Sequence, residues 1–134
     1  MHPRARQLID SHALVPHPEG GWYRQIYKSE ECVTRHSDGA VRNALTTIYF
    51  LLVEGTASAP HVVKSDEVWH FYEGDPLELR IGDEVVTLDD DNRVGIVPAN
   101  IWQSARPLGA YAFVGCTVAP GFEFEDFEMA RNDR

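Results

Sequence analysis

The sequence predicts an all-β domain, either a sandwich or a barrel, and three observations carry this prediction. Short runs of branched and aromatic residues recur between residues 22 and 118, and clusters of Gly, Pro, Asp and Asn separate them. Helical periodicity is absent from this region. No connection offers the roughly dozen helical residues that a parallel α/β crossover needs. With 134 residues, of which 43% are hydrophobic, we expect a single domain spanning residues 1–134.

A short helix is predicted at the start of the chain, over Ala5–Leu14, where apolar residues form a small stripe. Pro16 and Pro18 follow it and cannot continue a helix, because proline lacks a backbone N–H and clashes with the preceding turn. Gly20 and Gly21 then allow a sharp turn. The helix is therefore expected to precede the first strand.

Eight strands are predicted after this turn, and turn residues separate them. They are Trp22–Lys28, Ala44–Val53, Val68–Tyr72, Leu77–Ile81, Glu84–Leu88, Val94–Val97, Ile101–Ala105 and Tyr111–Val118. The second of these strands is apolar on both faces, which predicts that it lies between two layers. Gly82 and Asp83 predict a tight hairpin between the fourth and fifth strands, because glycine adopts a positive φ at little steric cost.

The composition excludes several classes of function. The net charge of −9 argues against nucleic acid or an anionic membrane as partner, since both require clustered Lys and Arg. No run approaches the roughly 20 apolar residues of a membrane span, and residues 1–10 are too polar for a signal peptide. Two cysteines, Cys32 and Cys116, are too few for a disulfide framework. We therefore expect a cytoplasmic protein.

Residues 59–74 hold the densest set of residue types that carry chemistry. Strand alternation places Glu67 on one face with Trp69 and Phe71, which predicts that this carboxylate points into the core. A buried carboxylate must be paired, hydrogen-bonded or protonated, because an isolated buried charge is costly. His61, across a bend in the chain, is the expected partner. The alternative is that Glu67 is an exposed charge at a strand end and His61 a loop residue.

Two motifs in the sequence resemble those of the cupin superfamily. The series His61…Glu67…Gly74 resembles the first cupin motif, and Gly95–Gln103 resembles the second. Further stretches are similar to a small cupin family of unassigned function whose members are single jelly-roll domains. These stretches are His17–Arg24, Ser65–Phe71, Gly74–Leu77 and Cys116–Phe122. The likeness covers nearly the whole chain and extends, more distantly, to the deoxysugar-nucleotide epimerase cupins.

The resemblance implies a double-stranded β-helix, in which two antiparallel sheets curl into a barrel with one open mouth. Cupins place the first and second motifs on facing strands, so that His61, Glu67 and Gln103 should converge near this mouth. The resemblance also implies a homodimer. Three phenylalanines between residues 122 and 127 are costly to expose, so we expect them to close one end of the barrel or to pack on a partner subunit.

Metal-dependent cupins resemble one another in offering three histidines and one glutamate, and this sequence departs from that pattern. Only His61 and Glu67 fill such positions, while Val63 and Gln103 stand where the other two histidines would fall. Valine cannot ligate a metal, and glutamine is a weak ligand for metals that prefer imidazole. Two firm ligands are fewer than catalytic zinc normally has, so no cofactor is firmly implied. A divalent metal would use His61, Glu67 and Gln103, joined by His70 only if its strand bulged.

The predicted function is the binding of a small polar molecule, such as a sugar or a nucleotide sugar, around His61, Glu67 and Gln103. Aromatic faces beside hydroxyl, amide and carboxylate groups suit such a ligand. Four further side chains are predicted to contact it, namely Tyr23, Gln25, Ser65 and Trp69. The alternative for Tyr23 and Trp69 is an ordinary place in the core.

Three other functions stay open from the sequence. The resemblance to the epimerase cupins implies an epimerase or isomerase in which His61 is the general base, Glu67 orients it and a tyrosine is the acid. The sequence does not select this tyrosine among Tyr23, Tyr49 and Tyr111. A metal-dependent isomerase or oxygenase is the second alternative. A barrel without activity is the third, since a fold does not determine a function.

Overall fold

The computed structural model describes residues 1–130, which form one α-helix, 13 strands and one 3₁₀ turn. The helix, α1, spans Pro3–His12. The strands in chain order are β1 (Val15–Pro16), β2 (Trp22–Lys28), β3 (Cys32–Thr34), β4 (Val41–Asn43), β5 (Thr46–Val53), β6 (Ser58–Val63), β7 (Asp66–Gly74), β8 (Leu77–Ile81), β9 (Glu84–Leu88), β10 (Val94–Val97), β11 (Gln103–Pro107), β12 (Tyr111–Ala119) and β13 (Phe127–Met129). The 3₁₀ turn covers Phe124–Asp126.

Two antiparallel sheets form the body of the protein. The larger sheet has the strand order β1-β2-β5-β12-β7-β10, and the smaller has the order β13-β6-β11-β8-β9. A separate hairpin consists of β3 and β4. Strands that are distant in sequence lie side by side, since β12 pairs with both β5 and β7. This is the arrangement of a double-stranded β-helix, and the all-β prediction is confirmed.

The apolar core fills one end of the space between the sheets. Its members are buried side chains from the facing surfaces of both sheets, and they include Phe50, Trp69, Phe71, Leu77, Leu79 and Leu88. Burying one such side chain stabilises the fold by roughly 1.5–3 kcal/mol. The core therefore holds the sheets together at this end, and polar side chains accumulate at the other.

Strand β7 carries inward-facing residues from the core to the polar end. Glu67, Trp69 and Phe71 are buried, whereas the residues between them are half-buried or exposed. This alternation is the one that the sequence predicts, because successive side chains of a strand point to opposite faces. His70 lies on the outward face and opposite Gly115 and Val94 of the neighbouring strands, so it does not turn into the barrel.

Helix α1 covers the outer face of the larger sheet. Ala5 and Leu8 are buried there in one cluster with Leu51 and Phe113. Strand β5 is therefore buried on both faces, as its sequence predicts, because Phe50 points into the barrel and Leu51 toward the helix. The helix begins two residues before the predicted Ala5, since His2 accepts a hydrogen bond from the backbone N–H of Arg4 and caps it.

The helix also ends earlier than predicted. Ala13 adopts a left-handed conformation with φ 53°, so the helix stops at His12 instead of Leu14. Strand β11 begins at Gln103, two residues later than predicted, because the chain turns at Asn100 with φ 67°.

Five short strands were not predicted from the sequence, namely β1, β3, β4, β6 and β13. Among them β6 matters most, because it contains His61. Pro60 interrupts its sequence and conceals the strand pattern, since proline is uncommon inside strands.

Candidate functional site

A cavity of about 200 Å³ opens at the polar end of the barrel. Both sheets, the segment before β2 and the C-terminal segment contribute to its wall. The lining residues are His17, Glu19, Tyr23, Gln25, Thr46, Ile48, His61, Val63, Glu67, Cys116, Val118, Phe122, Phe124 and Phe127. Four of the predicted site residues, Tyr23, Gln25, His61 and Glu67, therefore lie at one cavity.

The turn before β2 brings Glu19 into this cavity. Its carbonyl accepts a hydrogen bond of 2.8 Å from the backbone N–H of Ala59 at the start of β6. Gly20 has φ 112°, and a Cβ at this position would lie 2.1 Å from the carbonyl oxygen of Ala57. Only glycine allows this close approach, because other residues disfavour this φ and would collide with the neighbouring strand. The turn is thereby held against β6, with the Glu19 side chain buried.

Glu19 has polar neighbours but no basic side chain of fixed charge. The Ser58 hydroxyl donates a hydrogen bond to its carboxylate. Its Oε1 lies 3.6 Å from Nδ1 of His17 and 3.7 Å from Nε2 of His61. Burial and the nearby charge of Glu67 raise the pKa of Glu19 to about 8. The carboxyl group is therefore mostly protonated at neutral pH.

The two histidines of the cavity are held in defined tautomers. Nδ1 of His61 donates to the carbonyl of Ala59 at 2.7 Å, so Nε2 of the neutral ring is an acceptor. Nδ1 of His17 accepts from the backbone N–H of Glu19 at 3.0 Å, which leaves the proton on Nε2. Burial lowers the pKa of both rings, that of His17 to about 4. Both imidazoles are therefore neutral at neutral pH.

Glu67 is bound by an amide and a thiol, and not by the expected His61. Nε2 of Gln103 donates to Oε1 of Glu67 at 3.0 Å, and Oε1 of Gln103 accepts from Nε1 of Trp69 at 2.8 Å. The Cys116 thiol also hydrogen-bonds Glu67. Burial raises the pKa of Glu67 to about 7 in spite of these bonds. The expected pairing fails because His61 bonds to the backbone and faces Glu19 instead.

Three predicted ligand contacts lie outside the cavity wall. Ser65 is buried elsewhere and accepts a hydrogen bond of 3.3 Å from Nη1 of Arg35. Trp69 is fully buried in the core against Phe50, with ring centroids 5.9 Å apart. Gln103 is buried behind Glu67. None of the three lines the cavity, and Trp69 and Gln103 instead form a hydrogen-bonded chain that positions Glu67.

Two cavity residues, His17 and Glu19, were not predicted as site residues. Both belong to the stretch His17–Arg24 that resembles the cupin family, so the resemblance contained the signal. The two glycines that end this turn allow the left-handed conformations that place Glu19 against β6. Spacing along the chain did not reveal this, because more than 40 residues separate Glu19 from His61.

Aromatic rings form the outer wall of the cavity. Phe122 and Phe124 pack edge to face with centroids 4.9 Å apart, and Phe127 lies 5.3 Å from the His61 ring. Tyr23 contacts His17 edge to face at 4.4 Å. The three phenylalanines thus lie at one end of the barrel, one of the two places expected from the sequence.

The residues at the cavity do not fit a transition-metal centre. The amide oxygen of Gln103 is used by Trp69, and its nitrogen faces Glu67, so Gln103 offers no ligand atom. Val63 lines the wall where a further histidine would be needed. Within residues 1–130 no group of three or more His, Cys, Asp or Glu side chains is arranged to hold a metal ion. The described cavity wall therefore lacks the donor set of a transition-metal centre.

Comparisons with known proteins agree with this architecture. Residues 6–130 match a family model described as Cupin superfamily (DUF985). The chain belongs to this family. A hypothetical protein from Leishmania major is 29% identical with a TM-score of 0.87, and the match covers 94% of this chain and 86% of that one. A protein from Shewanella oneidensis is 33% identical with a TM-score of 0.81, and the match covers 94% and 84%.

A more distant similarity shows the same fold. A cupin 2 conserved barrel domain protein from Rhodopseudomonas palustris is 13% identical with a TM-score of 0.58, and the match covers 90% of this cupin and 87% of that chain. The predicted resemblance to small cupins of unassigned function is confirmed. No curated protein matches the sequence. In the part of the chain that the structure describes, no helix has the length and apolar character to cross a membrane.

Proposed function

We propose that this cupin binds a small polar molecule, about the size of one sugar ring, in the cavity at the mouth of its barrel. One observation carries the proposal. Four ionisable side chains, His17, Glu19, His61 and Glu67, converge from the turn before β2 and from strands β6 and β7 on one hollow with aromatic walls. Their polar atoms can form further hydrogen bonds with a molecule in the hollow, as Nε2 of His61 shows. A ligand with several hydroxyl or amino groups matches this set.

The size of the cavity favours a single ring over a nucleotide sugar. An engineered cavity of about 150 Å³ holds one benzene molecule. The cavity of about 200 Å³ in this cupin is therefore suited to a ring with a few polar substituents. A nucleotide sugar would extend far beyond it, and its phosphates would need basic partners. The cavity wall contains neither Lys nor Arg among the residues described.

The wall offers both stacking surfaces and hydrogen-bonding groups to such a ring. Tyr23 and Gln25 line the cavity from β2. On the opposite side, Nε2 of His61 accepts hydrogen bonds, and the protonated carboxyl of Glu19 donates them. Phe127 adds an apolar ring face beside His61. This combination matches the alternating polar and apolar faces of a sugar.

Thermal-shift and calorimetric titrations test the proposal. The probes are monosaccharides and amino sugars, and a nucleoside diphosphate sugar serves for comparison. We expect one-ring compounds to raise the melting temperature, since a ligand at 100 times its Kd adds about 2.7 kcal/mol of stability. Tyr23→Ala should abolish the shift. The matched control is Tyr27→Ala on the same strand, because Tyr27 is 56% exposed and lies outside the wall. Equal loss of binding in both variants, or no binding of any one-ring compound, would contradict the proposal.

A second candidate function is proton transfer, as in an epimerase or isomerase with His61 as general base. The observation that favours it is the free Nε2 of a neutral His61 whose Nδ1 is fixed by Ala59. Tyr23 lines the cavity and is the available tyrosine acid, whereas Tyr49 and Tyr111 pack beside helix α1. Glu19, and not Glu67, is the carboxyl group next to this imidazole.

Exchange of substrate hydrogen with D₂O tests this second function. Sugars with an enolisable carbon should gain deuterium in the presence of the protein, and His61→Asn should stop the exchange. His36→Asn is the control, because His36 is exposed and does not line the cavity. If every sugar that binds fails to exchange hydrogen with D₂O, the catalytic role is rejected. The protein would then only bind its ligand.

A further inference from the structure

The cavity holds two buried carboxyl groups without a basic side chain to neutralise them. Glu19 is 8% exposed and Glu67 is 7% exposed. They are close enough that the charge of Glu67 acts on Glu19. The remaining ionisable groups on the wall are His17, His61, Tyr23 and Cys116, and none is a fixed cation. Buried charges in proteins are normally paired. The cavity wall holds two acids but no cation that could pair with their ionised forms.

Three hydrogen-bond acceptors lie at the inner end of the cavity. The Glu67 carboxyl accepts from the Gln103 amide, and its other neighbouring donor, the Cys116 thiol, is a weak one. Oε1 of Glu19 and Nε2 of His61 lie 3.7 Å apart, so one donor atom placed between them can reach both. Three acceptors of this kind match the three N–H donors of an ammonium group.

The aromatic wall favours the same kind of ligand. Tyr23, Phe122, Phe124 and Phe127 surround the acidic groups with ring surfaces. The face of an aromatic ring carries partial negative charge and attracts cations within about 6 Å of its centre. Across the whole protein the net charge of −9 attracts cations and repels anions. The aromatic wall of the cavity and the net charge of the protein therefore both favour a cation as ligand.

We propose that the ligand of this cavity carries a primary ammonium group, which enters first and donates hydrogen bonds to Glu19, Glu67 and His61 while the aromatic rings enclose the rest of the molecule. The inference rests on the proposed function, because it assigns the chemical class of the ligand for that same cavity. The ammonium group stabilises the ionised forms of Glu19 and Glu67, so Glu19 releases its proton when the ligand binds. Neutral molecules of the same shape bind more weakly, because they bring no positive charge. Anions find no basic side chain on the described cavity wall.

Matched pairs of probes separate this inference from the proposed function. Glucosamine is compared with glucose, and cyclohexylamine with cyclohexanol, by isothermal titration calorimetry at pH 7.5. We expect each amine to bind about tenfold or more tightly than its neutral counterpart, because hydrogen bonds to charged groups exceed neutral ones by roughly that factor. If neutral and amine probes bind equally, the ammonium inference is wrong while the proposed function stands. If no probe of either pair binds, both are wrong.

Two isosteric variants test whether the acids are responsible. Glu19→Gln and Glu67→Gln remove the charge and keep the shape, so circular dichroism should show an unchanged fold. Each should lower the affinity for the amine much more than the affinity for the neutral probe, so that the ratio of the two Kd values approaches one, because the amide forms hydrogen bonds but carries no charge. Glu54→Gln is the control for net charge, because Glu54 is exposed and lies outside the cavity wall. An amine preference that persists in both cavity variants, or falls equally in Glu54→Gln, would overturn the inference.

Discussion

Two groups of buried carboxyl side chains in this cupin are built in opposite ways. In the arginine cluster (Arg35, Arg42, Asp38 and Asp126), Asp126 accepts two hydrogen bonds of 2.9 Å from Arg42 and two of 3.1 and 3.2 Å from Arg35. In the cavity cluster (His17, Glu19, His61 and Glu67), the acids face neutral imidazoles and amides. The pKa of Asp126 is lowered to about 2, whereas that of Glu19 is raised to about 8.

The difference lies in the partners and in the depth of burial. The Asp126 side chain is 5% exposed and the Glu19 side chain 8% exposed, but Glu19 lies deeper in the protein, and this burial is the main cause of its raised pKa. Two guanidinium groups stabilise the charged form of Asp126, and no such group reaches Glu19. The arginine cluster fastens the β3–β4 hairpin to the C-terminal segment, so it serves the fold. The cavity cluster instead holds two carboxyl groups with raised pKa values at a hollow, which is typical of a functional site.

The largest effect is expected when the arginine cluster is broken. Asp126→Asn should lower the free energy of unfolding by about 3 kcal/mol, because it removes the buried anion that two guanidinium groups share and leaves them only the more exposed Asp38 and Glu125. Urea denaturation at pH 7 measures this loss. Asp38→Asn is the matched control, since Asp38 meets the same Arg35 but its side chain is 35% exposed. Its effect should be much smaller, because water screens an exposed ion pair. Similar losses for the two variants would show that burial of this cluster does not matter.

A smaller loss is expected when the support of Glu67 is removed. Gln103→Leu leaves Nε1 of Trp69 and one oxygen of Glu67 without partners, and each unsatisfied buried group costs about 1–3 kcal/mol. The free energy of unfolding should fall by about 2 kcal/mol or more. Gln25→Leu should change it by less than about 0.5 kcal/mol, because Gln25 is exposed. If Gln103→Leu changes the free energy of unfolding as little as Gln25→Leu does, the hydrogen-bonded chain from Trp69 to Glu67 does not support the site.

The pH dependence of stability should distinguish the clusters by sign. Glu19 ionises at a pKa of about 8 in the folded protein but near the ordinary glutamate pKa of 4.5 when unfolded, so the folded state keeps the proton to a higher pH. The contribution of Glu19 to stability is therefore greatest at low pH and declines as the pH rises through this window. Asp126 behaves in the opposite way, since its lowered pKa gives stability above about pH 4 that is lost toward pH 2.

Glu19→Gln isolates this effect. The histidines contribute equally to both proteins, so the difference between the two curves reports Glu19. From pH 6.5 to 8 the wild type should lose about 1.5 kcal/mol relative to Glu19→Gln, because the slope is about 1.4 kcal/mol per pH unit well below the pKa and half of that at the pKa. Chemical denaturation at several pH values measures the difference. Parallel curves for the two proteins would mean that Glu19 is already ionised at pH 6.5.

The alternation of the strands could be predicted from the sequence, because it is a local property. The inward direction of Glu67 and the two buried faces of β5 follow from residues that lie next to each other in the chain. The partners of these residues could not be predicted in the same way. Asp126 meets Arg35 across 91 positions and Arg42 across 84, and these contacts exist only after the barrel has closed.

Within the site itself, the burial of Glu19 could not be predicted from the sequence. Its turn resembles a cupin motif, but its burial depends on the approach of Gly20 to Ala57, a contact between distant segments. His61 was expected to pair with Glu67 because they are near in sequence. The carbonyl of Ala59, two residues away, takes its Nδ1 instead and turns Nε2 toward Glu19.

The ionisation of the cavity carboxyls can be measured directly by ¹³C NMR of protein labelled at the glutamate side-chain carboxyl carbons. Two resonances should titrate near pH 8 and pH 7, and Glu19→Gln and Glu67→Gln should each remove one of them. Addition of glucosamine should move both transitions to lower pH. If every glutamate titrates below about pH 5 in the free protein, the cavity already contains the positive charge that we infer the ligand must bring.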